Sequence, residues 1–198
     1  MSDKVFIRAD ELVRDSFRLA RLIYDSGYRP TVILVLWRGG TPVGIAVHEF
    51  LLVKGVQSYH TVVKAESYTG IGTRHPPRIE NLDRVAEALS ADSRVLVIDD
   101  IFDSGHTLAA VRNVLTRRTT HIKVATLYLR TGRSQESARP DFHLRETDRW
   151  IVFPHELDGL TPEELRMKDP VIADVLSGQN PAERCSQGGG GVRLLDKA

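Results

Sequence analysis

At 198 residues, with 41% hydrophobic side chains and 27 basic against 26 acidic residues, the chain can build one ordinary core and carries a formal charge of only +1. That balance excludes a generally basic surface for nucleic acid, so any anion site must be local. The lone Cys185 excludes an internal disulfide, and neither a secretion signal nor a bilayer-length apolar run is present, so the expectation is a soluble, cytoplasmic protein that engages neither nucleic acid nor membrane.

In chain order, Asp10 to Ser26 carries Leu12, Val13, Phe17, Ala20, Ile23 and Tyr24 at helical spacing. Asp10 is the expected N-cap and Gly27 the stop. The short apolar run Val32 to Leu36 predicts a parallel strand covered on both faces. A loop, W-R-G-G-T-P, follows, and Pro42 is placed to open a helix over Val43 to Leu52. The alternation continues with a strand over Tyr59 to Val63, a helix over Leu82 to Leu89 and a strand over Arg94 to Ile98. A helix over Thr107 to Leu115 and a strand over Ile122 to Leu129 complete it. This pattern predicts an α/β fold: a twisted, mainly parallel sheet flanked by helices, with ligands at the strand C-termini. Ala65 to Arg78 has glycines, prolines and basic residues without periodicity, as in a loop that closes over a site. A last helix is expected from about Pro162 to Leu176, and hood elements from about residue 140. One domain, 1–176, and a flexible tail, 177–198, complete the expected organisation.

The stretch V-L-V-I-D-D-I-F-D-S-G-H-T-L sets Asp99, Asp100 and Asp103 at the end of a core strand, a density of like charge tolerated mainly where a ligand shares it. Ser104, Gly105, His106 and Thr107 form the turn into the next helix. Its backbone N–H groups and helix dipole suit a phosphate monoester, and Gly105 allows close approach. Asp99 and Asp100, just upstream, are acceptors suited to vicinal hydroxyls. Phosphate plus diol describes a ribose 5-phosphate. Arg38, Gly39 and Gly40 are either a tight turn with a surface arginine or a second anion site, and two phosphate sites imply a ribose phosphorylated at both ends.

These residues resemble the signature of the type I phosphoribosyltransferases, which use 5-phosphoribosyl 1-pyrophosphate (PRPP). That signature is an apolar strand, two acids, two apolar residues, then D-T-G-x-T, with Ser104 here for the usual threonine. W-R-G-G-T-P-V-G resembles the family's pyrophosphate loop, and Ser67-Tyr68 the start of its flexible loop. The likeness runs in order from Val32 to Glu156. W-I-V-F-P-H-E is similar to the late segment of the enzymes acting on hypoxanthine, guanine or xanthine.

The resemblance implies transfer of the phosphoribosyl group from PRPP to N9 of a 6-oxopurine, in purine salvage. Asp103 would take the N7 proton, and PRPP would be held by Arg38, Gly39, Gly40, Ser67, Tyr68, Asp99, Asp100 and the 104–107 turn. Trp150 would stack on the purine, with the Ile151 backbone at its 2-position. Arg130 stands where the family usually has a lysine donating to O6; from the residues alone it is a base contact or a surface ion pair. Magnesium is the implied cofactor, held directly or through water by Asp99, Asp100 and Glu156. A non-proline cis peptide is implied at Trp37-Arg38, and a homodimer or homotetramer is the family's usual assembly.

By residues alone, Trp150 is a core aromatic or a stacking platform, and His106 faces solvent near a helix start. The histidines show no ligand spacing for zinc. An aspartyl phosphatase fits poorly, because its acidic pair is separated by one residue, and no G-x-x-x-x-G-K-S/T loop is present. Two alternatives stay open: a PRPP-sensing regulator of the same fold, and a transferase for adenine, orotate or uracil.

Overall fold

The computed structural model describes residues 4–66, 69–70, 73–74, 78–132 and 139–178. The chain forms two compact units, Met1–Pro154 and His155–Ala198. In the first, β1 (Lys4–Phe6) leads into α1 (Ala9–Asp25), β2 (Val32–Trp37), α2 (Gly40–Val53) and β3 (Tyr59–Glu66). Short β4 (Thr69–Gly70) and β5 (Thr73–Arg74) pair with each other, followed by β6 (Arg78–Glu80), α3 (Leu82–Glu87) and β7 (Val95–Phe102). Then come α4 (His106–Leu115), β8 (Ile122–Arg130), β9 (Phe142–Thr147) and β10 (Trp150–Val152).

Six strands make the main sheet in the order β6-β3-β2-β7-β8-β9, parallel except for β6. The apolar runs of β2 and β7 are continuous because both faces are covered: Ile33, Val35, Leu96 and Ile98 pack with α1 and α2 residues, whereas Leu34, Leu36, Val95 and Val97 pack with α3 and α4 residues. Parallel register places the C-termini of β2, β7 and β8 along one edge. The segment from residue 140 divides. Phe142–Thr147 joins the main sheet beside β8, while β10 pairs in parallel with β1 as a separate two-stranded sheet.

Several elements differ from the sequence expectation. Arg8, not Asp10, is the N-cap of α1, and Asp10 instead pairs with Arg8 and Arg14. The buried face of α1 is also rotated. Val13 and Phe17 are exposed, whereas Asp15 and Ser16 are buried. Asp15 is tolerated inside because Arg18 Nη1 (2.7 Å) and Arg145 Nε (2.9 Å) pair its carboxylate, and Ser16 donates to the Leu12 carbonyl. β7 runs on through both aspartates to Phe102.

The second unit holds α5 (Pro162–Lys168) and α6 (Pro170–Leu176) where one helix was expected. Pro170 cannot donate to a continuing helix, so the chain breaks at extended Asp169, whose side chain caps α6 through the Val171 and Ile172 N–H groups. Thr161 and Glu164 form a reciprocal capping box on α5. Among the described residues no helix is long and apolar enough to cross a membrane. The tail expectation from residue 179 onward, like Ser67 and Tyr68, lies outside the described residues.

Candidate active site at the strand C-termini

Two clusters of side chains meet this edge, joined through β7. The first is built by close approach of backbone. Gly39 caps α2, and a Cβ there would overlap the Asp100 carboxylate; a Cβ at Gly40 would overlap the Ile98 carbonyl oxygen. Only glycine at both positions lets the loop of exposed Arg38 lie directly against the acidic pair. The Trp37-Arg38 peptide bond is cis, as the resemblance implied. Asp100 is buried and its N–H bonds to Asp99 Oδ1 at 3.0 Å. Burial, reinforced by the neighbouring Asp100 carboxylate, pushes Asp99 well above the usual carboxylate range. The pair is therefore an electrostatic liability in the ligand-free protein.

Beyond Phe102 the strand turns into α4. Gly105 has φ +79°, and a Cβ there would sit 2.7 Å from the buried Phe102 ring, so both conformation and space demand glycine. No side chain caps α4, which leaves its first-turn N–H groups open to an anion beside exposed Ser104 and His106 and part-buried Thr107.

The second cluster centres on Arg130, at the end of β8. It is not a surface residue: 4% of it is exposed. Nη1 lies 3.4 Å from Asp103 Oδ1, Nη2 donates to the Arg149 carbonyl at 3.1 Å, and Cζ stands 4.8 Å from the centroid of the Trp150 ring. Trp150 remains 52% exposed, so ring surface is left for a planar ligand, while Ile151 is buried in β10 against β1. Sequence reasoning did not find the Arg149 carbonyl, the Ile98 carbonyl or β1. Backbone groups and a three-residue strand carry no residue-type signal.

Glu156 belongs to the second unit, where its carbonyl accepts from Lys168 Nζ. Among the described residues no group of three or more His, Cys, Asp or Glu side chains could by itself hold a metal ion.

Known proteins of similar sequence and structure point the same way. The chain is 29% identical over 168 residues to a xanthine-guanine phosphoribosyltransferase from Cereibacter sphaeroides, covering 81% of this chain and 91% of that one. The crystal structure of a purine phosphoribosyltransferase from Pyrococcus horikoshii superposes with a TM-score of 0.65 at 27% identity, covering 80% and 98% of the two chains. A xanthine-guanine-hypoxanthine phosphoribosyltransferase from Helicobacter pylori gives 0.58 at 23% identity, over 78% and 95%, a likeness of fold. The phosphoribosyl transferase domain model itself matches residues 8–158, a span that takes in the glycine loop, the acidic strand end, the α4 turn and Arg130. Since that is well over half of its length, the chain belongs to the phosphoribosyl transferase family and has that family's type I α/β fold.

Proposed function

We propose that this protein transfers the phosphoribosyl group of PRPP to N9 of a 6-oxopurine. One observation carries the reading: the Arg38-Gly39-Gly40 loop lies directly on the Ile98–Asp100 strand end. In this reading a loop suited to an anion and a pair of hydroxyl acceptors share one crevice with the uncapped N-terminus of α4. Relatives that carry purine or xanthine-guanine in their names support the choice of base.

In this reading Asp99 and Asp100 accept from the ribose 2′ and 3′ hydroxyls, and the α4 turn, Ser104 to Thr107, binds the 5′-phosphate. The cationic Arg38 fork faces the pyrophosphate, and Trp150 and the Ile151 backbone bind the base. N9 forms a bond to C1′ as the bond from C1′ to the pyrophosphate oxygen breaks, with the electron pair leaving on pyrophosphate. The N7 proton passes to the Asp103 carboxylate. Holding both reactants at fixed geometry supplies much of the acceleration.

The residues present also fit magnesium. Two adjacent hard-oxygen ligands, one of them raised above its ordinary range by burial and by the neighbouring carboxylate, match an ion that takes one or two carboxylates and completes its shell with water and substrate phosphates. When bound, magnesium would supply positive charge against the developing pyrophosphate anion.

The test is a spectroscopic assay of purified protein with PRPP, magnesium and each of hypoxanthine, guanine, xanthine and adenine. Conversion of one or more oxopurines is expected. No turnover with any base, despite tight PRPP binding by calorimetry, would overturn the reading in favour of a PRPP sensor.

A further inference from the structure

Arg130 is more than a donor at the base site. Its guanidinium joins parts of the chain that no sheet hydrogen bond connects. Asp103 stands just past the end of β7 in the main sheet, with its side chain 40% exposed, while Trp150 lies on β10 in the small sheet. Asp103 Oδ1 is buried and has no hydrogen-bond partner, so the 3.4 Å ion pair with Arg130 Nη1 is its one close polar contact among the described residues. Across the same fork, Nη2 is anchored on the Arg149 carbonyl and Cζ lies over the Trp150 ring, 4.8 Å from its centroid. Arg130 Nε is buried without an acceptor, so among the described residues the polar contacts of the side chain are made by its outer fork.

We propose that Arg130 is a positioning residue: its buried guanidinium fixes the Asp103 carboxylate and the Trp150 ring relative to each other, aligning the proton acceptor with the stacking surface before a base arrives. This rests on the reading of the crevice as a base site. The planar fork is essential to the role. An ammonium at the same place is a point charge with no plane to lay over an indole and no fixed pair of donors for two acceptors set apart. A residue that only donated to the base would tolerate lysine, which keeps one charged donor. A positioning residue would not.

The experiment is a kinetic double-mutant cycle, with wild type, R130K, D103N and R130K/D103N assayed on hypoxanthine, guanine and xanthine. Acrylamide quenching of Trp150 emission in a W37F background, where Trp150 is the sole tryptophan, runs beside it. The expected result is a fall in kcat of about 10–100-fold in R130K with the KM for PRPP within about threefold. In the D103N background the same substitution should cost less than about threefold, because the group it positions is gone. Quenching of the ligand-free protein should rise by about twofold as the ring loses its cover. An equal loss in both backgrounds would overturn the proposal, as would R130K within about twofold of wild type in both kcat and quenching. R130Q, planar but neutral, repeats the cycle if R130K melts early, and failure of both to fold would assign Arg130 a merely structural role. Inactivity of the wild type with every purine would sink the transferase reading, while the quenching arm would still decide whether Arg130 positions Trp150.

Discussion

Gly39→Ala is the sharpest probe of the crevice, because the structure says what the added methyl meets. Gly39 has φ −66° and ψ −35°, a conformation alanine adopts freely, so the backbone is not strained. Removing glycine should even help by about 0.4–1 kcal/mol through the unfolded state. Against this, the methyl overlaps both oxygens and the Cγ of the buried Asp100 carboxylate, an overpacking cost of about 1–3 kcal/mol. The net expectation in the wild-type background is a loss of about 0–2.6 kcal/mol, centred on about 1.3, since the entropic gain offsets part of the clash. In a D100A background the clash disappears, and the same substitution should be neutral or slightly stabilising. Urea unfolding of the four proteins, followed by far-ultraviolet circular dichroism, measures the coupling directly. Equal costs in both backgrounds would refute the juxtaposition of loop and acidic pair, and with it the shared crevice. PRPP kinetics should follow, with G39A losing about 10–100-fold in kcat/KM if the loop shifts by about an ångström.

Other expectations test separate parts of the site. D103N should lower kcat by about 10²–10⁴-fold while calorimetry finds PRPP binding little changed; a matching loss of binding would show that Asp103 holds ribose instead. G105A should cost about 1–3 kcal/mol from its left-handed φ alone, more from the Phe102 contact, and weaken PRPP binding over tenfold; wild-type behaviour would mean the turn rearranges at no cost. For Asp99 the sign follows from its raised native pKa. The native state binds the proton more tightly than the unfolded one, so the stability this proton contributes is present below about pH 4 and lost as pH rises through the raised value. D99N should therefore melt higher than wild type at pH 7, with the difference shrinking toward pH 4. A difference that stays constant with pH would reject the buried-charge account.

The sheet and the turn into α4 were legible because their signals are local. Val32 to Leu36 and Arg94 to Ile98 announce doubly covered strands by composition alone, and strand end, turn and helix start fall within the single stretch Val95 to Leu108. The split between α5 and α6 was written in the sequence as Asp169-Pro170, an N-cap followed by a helix-opening proline. What escaped depends on partners far along the chain. Burial of Asp15 needs Arg145, 130 residues on, and without it the amphipathic reading turns Val13 and Phe17 inward. β9 reads F-H-L-R-E-T, too charged for a core strand, and it serves as the sheet's partly exposed edge, placed there only by its parallel pairing to β8. Arg130 could be located by its place at a strand end. That it is buried, and against which residues, could not be read from the sequence.

The acidic pair then explains why such a site is built on a strand end and not on a loop. Asp99 resists ionisation because burial withdraws its carboxyl from water and the Asp100 carboxylate lies beside it. A flexible loop would relieve this by swinging the carboxylates apart into solvent. Here Asp99 pairs with Thr126 and Ile101 with Tyr128 on β8, while the Gly39 and Gly40 backbone closes the other side, so the strain is retained. A ligand that brings hydroxyl donors or a cation to the pair removes a penalty the fold already carries, and each such contact strengthens binding by more than it would between solvated groups. The same rigidity holds Asp103 three residues from Asp100 along one chain segment, so the groups proposed for ribose and for base share a single frame.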